Sequence, residues 1–242
     1  MKRVLILDMC DWVAGRITRE LKRRGCAVTR PRSLTEWSRC VAFASSQAEQ
    51  AYGHVLDFYP PALPDVISAL SVAELAGCRV MNSPAARLVC ADKAQLMPWL
   101  RQNEIRNPEF FFGHPSRVPK SFGEEIILKD RAGHLVMRVP RTALVSQAKL
   151  IYCEKVVATT DGIVRAVYDV CGACATFVKA DVLTKPTRKK ERVTGDATEL
   201  RTVRKIKRML RCDFVGVDFI GGTVIDVNSF PHFLSEPALV AA

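Results

Sequence analysis

Near its C-terminal end the chain reads V-I-D-V-N-S-F-P-H-F, Val224 to Phe233, with an aspartate and an asparagine two residues apart inside an apolar run. On a strand, residues i and i+2 leave the same face about 7 Å apart along the chain, so Asp226 and Asn228 present hard oxygen donors side by side. Such donors suit Mg²⁺ (or Mn²⁺), which takes one or two carboxylates together with phosphate oxygens. An isolated strand acid ordinarily faces water, but the flanks Val224, Ile225, Val227 and Phe230 are apolar, which favours the ligand role. A further donor, Asp218 in G-V-D-F, lies on the preceding run, with Gly221-Gly222 between the two as a hairpin turn.

Turn length decides whether Asp218 joins the pair. With a two-residue turn, Ile220 pairs with Thr223, Asp218 opposes Ile225, and Asp218 points away from Asp226. A three-residue turn, or a bulge that includes Thr223, opposes Asp218 to Asp226 and gathers all three donors on one face. A shared metal site therefore requires an odd-length connection or a bulge.

Other residues are weaker candidates on their own. Lys129 ends the apolar run E-I-I-L-K, where an ammonium can neutralise phosphate or simply reach water. Lys93 reads as an exposed helical lysine, and Arg165 as an arginine on the outer face of an alternating strand. Cys171-Gly172-Ala173-Cys174 has zinc-knuckle spacing but falls where a hairpin turn is expected, with no second C-x-x-C or H-x-x-x-H, so a structural turn is the better reading. The basic run Lys185 to Arg192 and the helix R-T-V-R-K-I-K-R-M-L-R lack the interleaved aromatics that stack on bases, so nucleic acid is possible as a partner but not favoured.

The elements that must position these residues alternate in the first third: strands at Val4 to Asp8, Cys26 to Thr29, His54 to Phe58 and Arg79 to Met81, helices from Trp12 to Arg24 and Pro64 to Gly77. This predicts a small parallel sheet flanked by helices. Asp8-Met9-Cys10-Asp11 replaces a glycine-rich turn after the first strand, so no dinucleotide site is assigned. Ser83 and Pro84 open a helix expected to run unbroken through A-A-R-L-V-C-A-D-K-A-Q-L-M-P-W-L. Beyond Pro108 the pattern turns to antiparallel strands, interrupted by a helix from about Asp196 to Leu210.

The chain has 242 residues, 48% of them hydrophobic and 25% charged, enough for one large or two small domains. The segment Val4 to Asp8 is too short for a signal-peptide core, and no run approaches the roughly 20 apolar residues of a membrane span. A cytoplasmic protein with no membrane association is expected. Nine cysteines scattered through apolar segments fit reduced thiols, and the odd count argues against a closed disulfide framework. A net charge of +11 favours anionic company.

Across Asn82 to Phe233 the chain resembles the ATP-grasp superfamily, most of all its RimK-like amino-acid ligases and, more weakly, its inositol polyphosphate kinases. The likeness rests on ordered fragments: N-S-P-A-A-R-L-V-C-A-D-K-A-Q-L, I-I-L-K, Y-C-E-K-V-V, V-R-A-V-Y and G-V-D-F followed by V-I-D-V-N-S-F-P. It implies an α/β (α+β) protein with an N-terminal Rossmann-like lobe over residues 1–82 and an ATP-grasp domain over residues 83–242, hinged near residues 154–157. It implies ATP with Mg²⁺ or Mn²⁺ as cofactors, Asp218, Asp226 and Asn228 as metal ligands, and Lys93 and Lys129 at the ATP phosphates. Glu154, Lys155 and Val157 would read the adenine edge, and Arg165 would face the transferred phosphate. The expected reaction is an ATP-dependent carboxylate–amine ligation through an acyl phosphate, acting on an anionic small molecule or peptide; the alternatives are a kinase of a polyanionic small molecule, or a non-catalytic nucleotide- or RNA-binding relative. Three departures stand out: the phosphate flap shrinks to Asp130-Arg131-Ala132-Gly133-His134, Ile163 replaces an acid two residues before Arg165, and no R-x-N precedes the metal strands.

Overall fold

The computed structural model describes residues 3–8, 11–29, 54–59, 63–75, 77, 79–131, 135–144, 149–158, 163–180 and 190–229. Residues 132–134 of the expected flap, 185–189 of the basic run, and Phe230 to Phe233 of the C-terminal motif lie outside the described residues.

The β-branched and leucine-rich run Arg3–Asp8 (β1) pairs in parallel with Ala27–Thr29 (β2) and with His54–Tyr59 (β3), and β3 pairs in parallel with Arg79–Met81 (β4). Parallel neighbours need crossovers. Asp11–Arg23 (α1) supplies the one between β1 and β2, and Leu63–Leu75 (α2) the one between β3 and β4. The sheet order β2-β1-β3-β4 is the small parallel sheet expected from the alternation.

Ser83 and Pro84 start a helix as expected: the Ser83 hydroxyl accepts from Ala86 N at 3.2 Å and donates to Leu210 O at 2.9 Å. The helix does not run unbroken, however. Pro84–Ala91 (α3) stops at Asp92, whose backbone is extended (φ −123°, ψ 112°), and Lys93–Gln102 (α4) starts afresh. Asp92 caps α4 by accepting from Ala94 N at 2.9 Å. The break has a tertiary cause: the Arg131 guanidinium grips the Asp92 carboxylate with two nitrogens, and Lys93 N donates to Arg131 O at 2.9 Å.

Two antiparallel sheets follow. Phe110–Gly113 (β5), Glu125–Lys129 (β6), Val136–Pro140 (β7) and Ile151–Lys155 (β8) are ordered β5-β8-β6-β7. Ile163–Val170 (β9), Ala173–Ala180 (β10), Lys190–Val193 (β11), Phe214–Ile220 (β12) and Thr223–Asn228 (β13) are ordered β11-β10-β9-β12-β13. Between β11 and β12 runs Ala197–Leu210 (α5), capped by Asp196, with Glu199 in its first turn, Lys207 and Arg208 in its last, and Arg211 in the left-handed region at its end. Among the described residues no helix is long and apolar enough to cross a membrane.

The five-stranded sheet buries apolar groups on both faces, following the two-residue period of its strands. Val167, Val215, Val217 and Phe219 pack against Leu96, Met97 and Leu100 of α4 and Val203 and Ile206 of α5. Ala166, Tyr168, Phe177 and Phe214 on the other face pack with Val4 and Ile6 of β1.

Asn82 ties the parallel sheet to the five-stranded one. Its buried amide donates to Phe214 O at 2.6 Å and Ser229 O at 2.5 Å, and its carbonyl accepts from Asp213 N at 2.7 Å and Phe214 N at 3.2 Å. An Asn82→Ala variant removes those four bonds to backbone groups. We expect it to lose about 3 kcal/mol of unfolding free energy in urea titration.

Candidate functional site

The hairpin that carries the acids is built from two opposed requirements. Gly221 (φ 53°) and Gly222 (φ 72°) both occupy the left-handed region, which closes a two-residue turn with Ile220 opposite Thr223. Left alone, this is the register that turns Asp218 away from Asp226. The ladder instead slips one residue further along: Phe219 faces Val224, Ile225 has no opposite number, and Asp218 faces Asp226 with Gly216 opposite Asn228. The extra residue is thus a bulge at Ile225, not a longer turn or a bulge through Thr223. It brings Asp218, Asp226 and Asn228 to one face, and the Asn228 amide nitrogen lies 3.5 Å from Asp226 Oδ2.

Like charges directly opposite on a sheet repel, so the pair needs a cation. Lys179 Nζ, from β10, supplies one at 2.6 Å from Asp218 Oδ2. Burial pushes the Asp218 carboxyl above its ordinary value, Asp226 adds to the rise, and Lys179 opposes it. Lys190, on the same face, donates to the Tyr168 hydroxyl at 2.7 Å. Two carboxylates and an amide carbonyl, already holding an ammonium, form a hard oxygen set that fits a small divalent cation.

The bulge is held from the second sheet. Lys129 Nζ donates to Ile225 O at 3.0 Å, the carbonyl that the slip takes off the ladder, while Val224 N donates to Arg106 O at 2.9 Å. Lys129 also meets Glu154 Oε2 at 2.7 Å, and Glu154 Oε1 accepts from the Tyr152 hydroxyl at 2.7 Å. Lys129 and Glu154 are both buried, so each charge has its partner in place. Burial, with Glu154 alongside, pushes the Tyr152 hydroxyl far above its ordinary value and keeps it a donor.

Placement of the remaining expected residues is mixed. Lys93 is buried at the first turn of α4, not exposed as its helical position suggested, and its backbone is bonded two residues beyond Lys129. Glu154 does not offer an open side chain to an adenine, since both its oxygens are engaged. Lys155 pairs with Glu109 at 2.6 Å and Val157 is half-buried in the segment after β8. Arg165 is not brought to the acids. It pairs across β9 and β12 with Phe219, next to Asp218 and therefore on the opposite face, and it approaches Glu199 of α5. Cys171 and Gly172 form the expected turn, burial pushes the Cys171 and Cys174 thiols up, and among the described residues no group of three His, Cys, Asp or Glu could hold a metal.

Sequence reasoning missed Lys179, Tyr152, Asp92 and Arg131. Lys179 reaches Asp218 across an intervening strand, because Lys179 is opposite Val164 and Asp218 opposite Ala166. No neighbour rule reads that from one chain.

No protein-family model matches the chain, and no curated protein sequence matches it. Solved structures do. A D-alanine–D-alanine ligase from Bacillus anthracis complexed with ATP superposes with a TM-score of 0.74 at 14% identity, over 99% of this chain and 90% of the other. The ATP-grasp ligase PsnB, complexed with a minimal precursor, Mg and ADP, gives 0.71 at 15% identity over 97% and 90%. A RimK-domain ATP-grasp protein from Sphaerobacter thermophilus DSM 20745 gives 0.69 at 18% identity over 99% and 96%. The chain has the ATP-grasp fold, as the fragments implied.

Replacing Lys129 by Met leaves Glu154 charged and buried with no cation. Urea titration is expected to show a loss of about 3–5 kcal/mol, much of it regained in the Lys129→Met, Glu154→Gln double variant. The raised Asp218 carboxyl sets a second expectation. Its own contribution to stability is complete below the ordinary carboxylate range and fades as pH rises through the raised value. A divalent cation needs the ionised form, so Mn²⁺ affinity, followed by electron paramagnetic resonance, should fall on acidification at a pH where an ordinary aspartate is still charged.

Proposed function

We propose that this protein is an ATP-dependent carboxylate–amine ligase that uses Asp218, Asp226 and Asn228 to hold Mg²⁺ or Mn²⁺. The carrying observation is the Ile225 bulge, which opposes Asp218 to Asp226 and aligns Asn228, in a fold shared with a D-alanine–D-alanine ligase and PsnB. When bound, the cation would neutralise phosphate oxygens and steady the leaving group.

The chain's own residues supply the frame. Lys129 and Glu154 lock the bulge and hold the acids in register. Lys93, at the start of α4, is assigned to the phosphates, and the backbone of residues 154–157 to the adenine edge, the side chain of Glu154 being engaged elsewhere. Lys179 and Lys190 put positive charge on the face of the acids, which suits an anionic substrate. The ligation class proceeds in two displacements. A carboxylate oxygen attacks the terminal phosphorus and ADP departs; an amine nitrogen then attacks the acyl carbon, loses its proton, and phosphate departs with formation of an amide. Binding both partners in one cleft supplies orientation. In this reading residues 1–82 form a unit that borders the substrate, and residues 83–242 the nucleotide-binding unit.

Purified protein incubated with Mg-ATP and a panel of amino acids, acidic peptides and inositol phosphates should release ADP and free phosphate together with a condensed product. A phosphorylated product without free phosphate would make it a kinase instead. Asp226→Asn is expected to lower turnover by about 100-fold or more, the equivalent of several kcal/mol of charge stabilisation; full turnover in that variant contradicts the assignment.

A further inference from the structure

The face of the five-stranded sheet opposite the acids carries a polar cavity. It is open to solvent and has a volume of about 410 Å³, and its lining includes Arg165, Thr194, Thr198, Glu199, Thr202 and Phe219. That volume is within the range of small-molecule sites.

The cavity has an incomplete partner set. Glu199 lies in the first turn of α5 with its side chain only 5% exposed. Its Oε1 is 3.7 Å from Arg165 Nη1, too long for a hydrogen bond, and its Oε2 is buried without any hydrogen-bond partner. Burial pushes this carboxyl up. Two neighbouring hydroxyls have partners of their own: Thr202 donates to Thr198 O at 3.0 Å, and Thr198 accepts from Arg201 at 3.0 Å. Asp196 is occupied in capping the Thr198 and Glu199 N–H groups. Arg165, by contrast, is 39% exposed, and its planar fork matches a carboxylate.

These charges select the ligand. A simple cation would satisfy Glu199 but meet Arg165, and a simple anion would satisfy Arg165 but meet Glu199 and Asp196. We propose that the cavity is a binding site for a small zwitterion of the α-amino-acid type, its ammonium donating to Glu199 Oε2 and its carboxylate held by Arg165. This site lies on the sheet face opposite the acids, and it does not depend on the ligase reading. Phe219 and Gly222, which also border it, belong to the hairpin of Asp218 and Asp226, so occupancy bears on the same hairpin from behind.

The test is calorimetric titration of the full chain, without nucleotide or metal, with glycine, L-alanine, L-glutamate and L-lysine, and with propionate and ethylamine as single-charge controls. At least one amino acid should bind saturably, and propionate and ethylamine at least about tenfold more weakly. Glu199→Gln, which keeps the side-chain shape, should weaken the amino acid by about tenfold and erase its advantage over propionate, with an unchanged circular dichroism spectrum; Arg165→Met should weaken both. Absence of saturable binding by any amino acid, or wild-type affinity in Glu199→Gln, would overturn the proposal. Should Arg165→Met fail to fold, the Glu199→Gln titrations decide it alone.

Discussion

The bond from the Lys129 ammonium to the Ile225 carbonyl governs the candidate site. Two glycines in the left-handed region close β12 and β13 with a two-residue turn, and in that register alternate side chains would send Asp218 and Asp226 to opposite faces. A bulge corrects the register but leaves Ile225 without a cross-strand partner, and a half-buried carbonyl without a donor is costly. Lys129 gives that donor from another sheet, and Glu154 gives Lys129 the counter-charge that lets it stay buried. The chain of dependence runs from Tyr152 through Glu154 and Lys129 to the bulge, and from there to the alignment of the two acids.

The five-stranded sheet then separates two kinds of chemistry by parity alone. Residues 218, 226 and 228 leave one face with Lys179, while Arg165 and the Phe219 ring leave the other towards α5. One side can hold a hard cation beside anionic groups. The other confines an arginine and a buried carboxylate at the start of a helix. Because β12 carries Asp218 on one face and Phe219 on the other, changes in one site have a short mechanical route to the other through a packed sheet.

Much of this was legible in the sequence where the determinants are local. The strands Glu125–Lys129, Phe214–Ile220 and Thr223–Asn228 have the expected bounds because β-branched and aromatic residues alternate there between glycine turns. Ser83, Pro84 and Asp196 mark helix starts by their chemistry. The helix break at Asp92 was not legible, because what makes it favourable is Arg131, 39 residues away. The condition on the hairpin could be stated from its residues, but the position of the bulge could not, since its carbonyl is satisfied by a lysine 96 positions earlier. Arg165 shows the same limit: its face follows from the β9–β12 register, which is a tertiary fact.

We propose that the bulged register makes Asp218, Asp226 and Asn228 one cation site. It is tested most directly by crystals of the protein grown with Mn²⁺ and a non-hydrolysable ATP analogue, using the anomalous signal of manganese. A peak is expected within bonding distance of oxygens from all three side chains, with Lys179 displaced from Asp218. A peak bound elsewhere, or a hairpin in which Asp218 and Asp226 leave opposite faces, would contradict it.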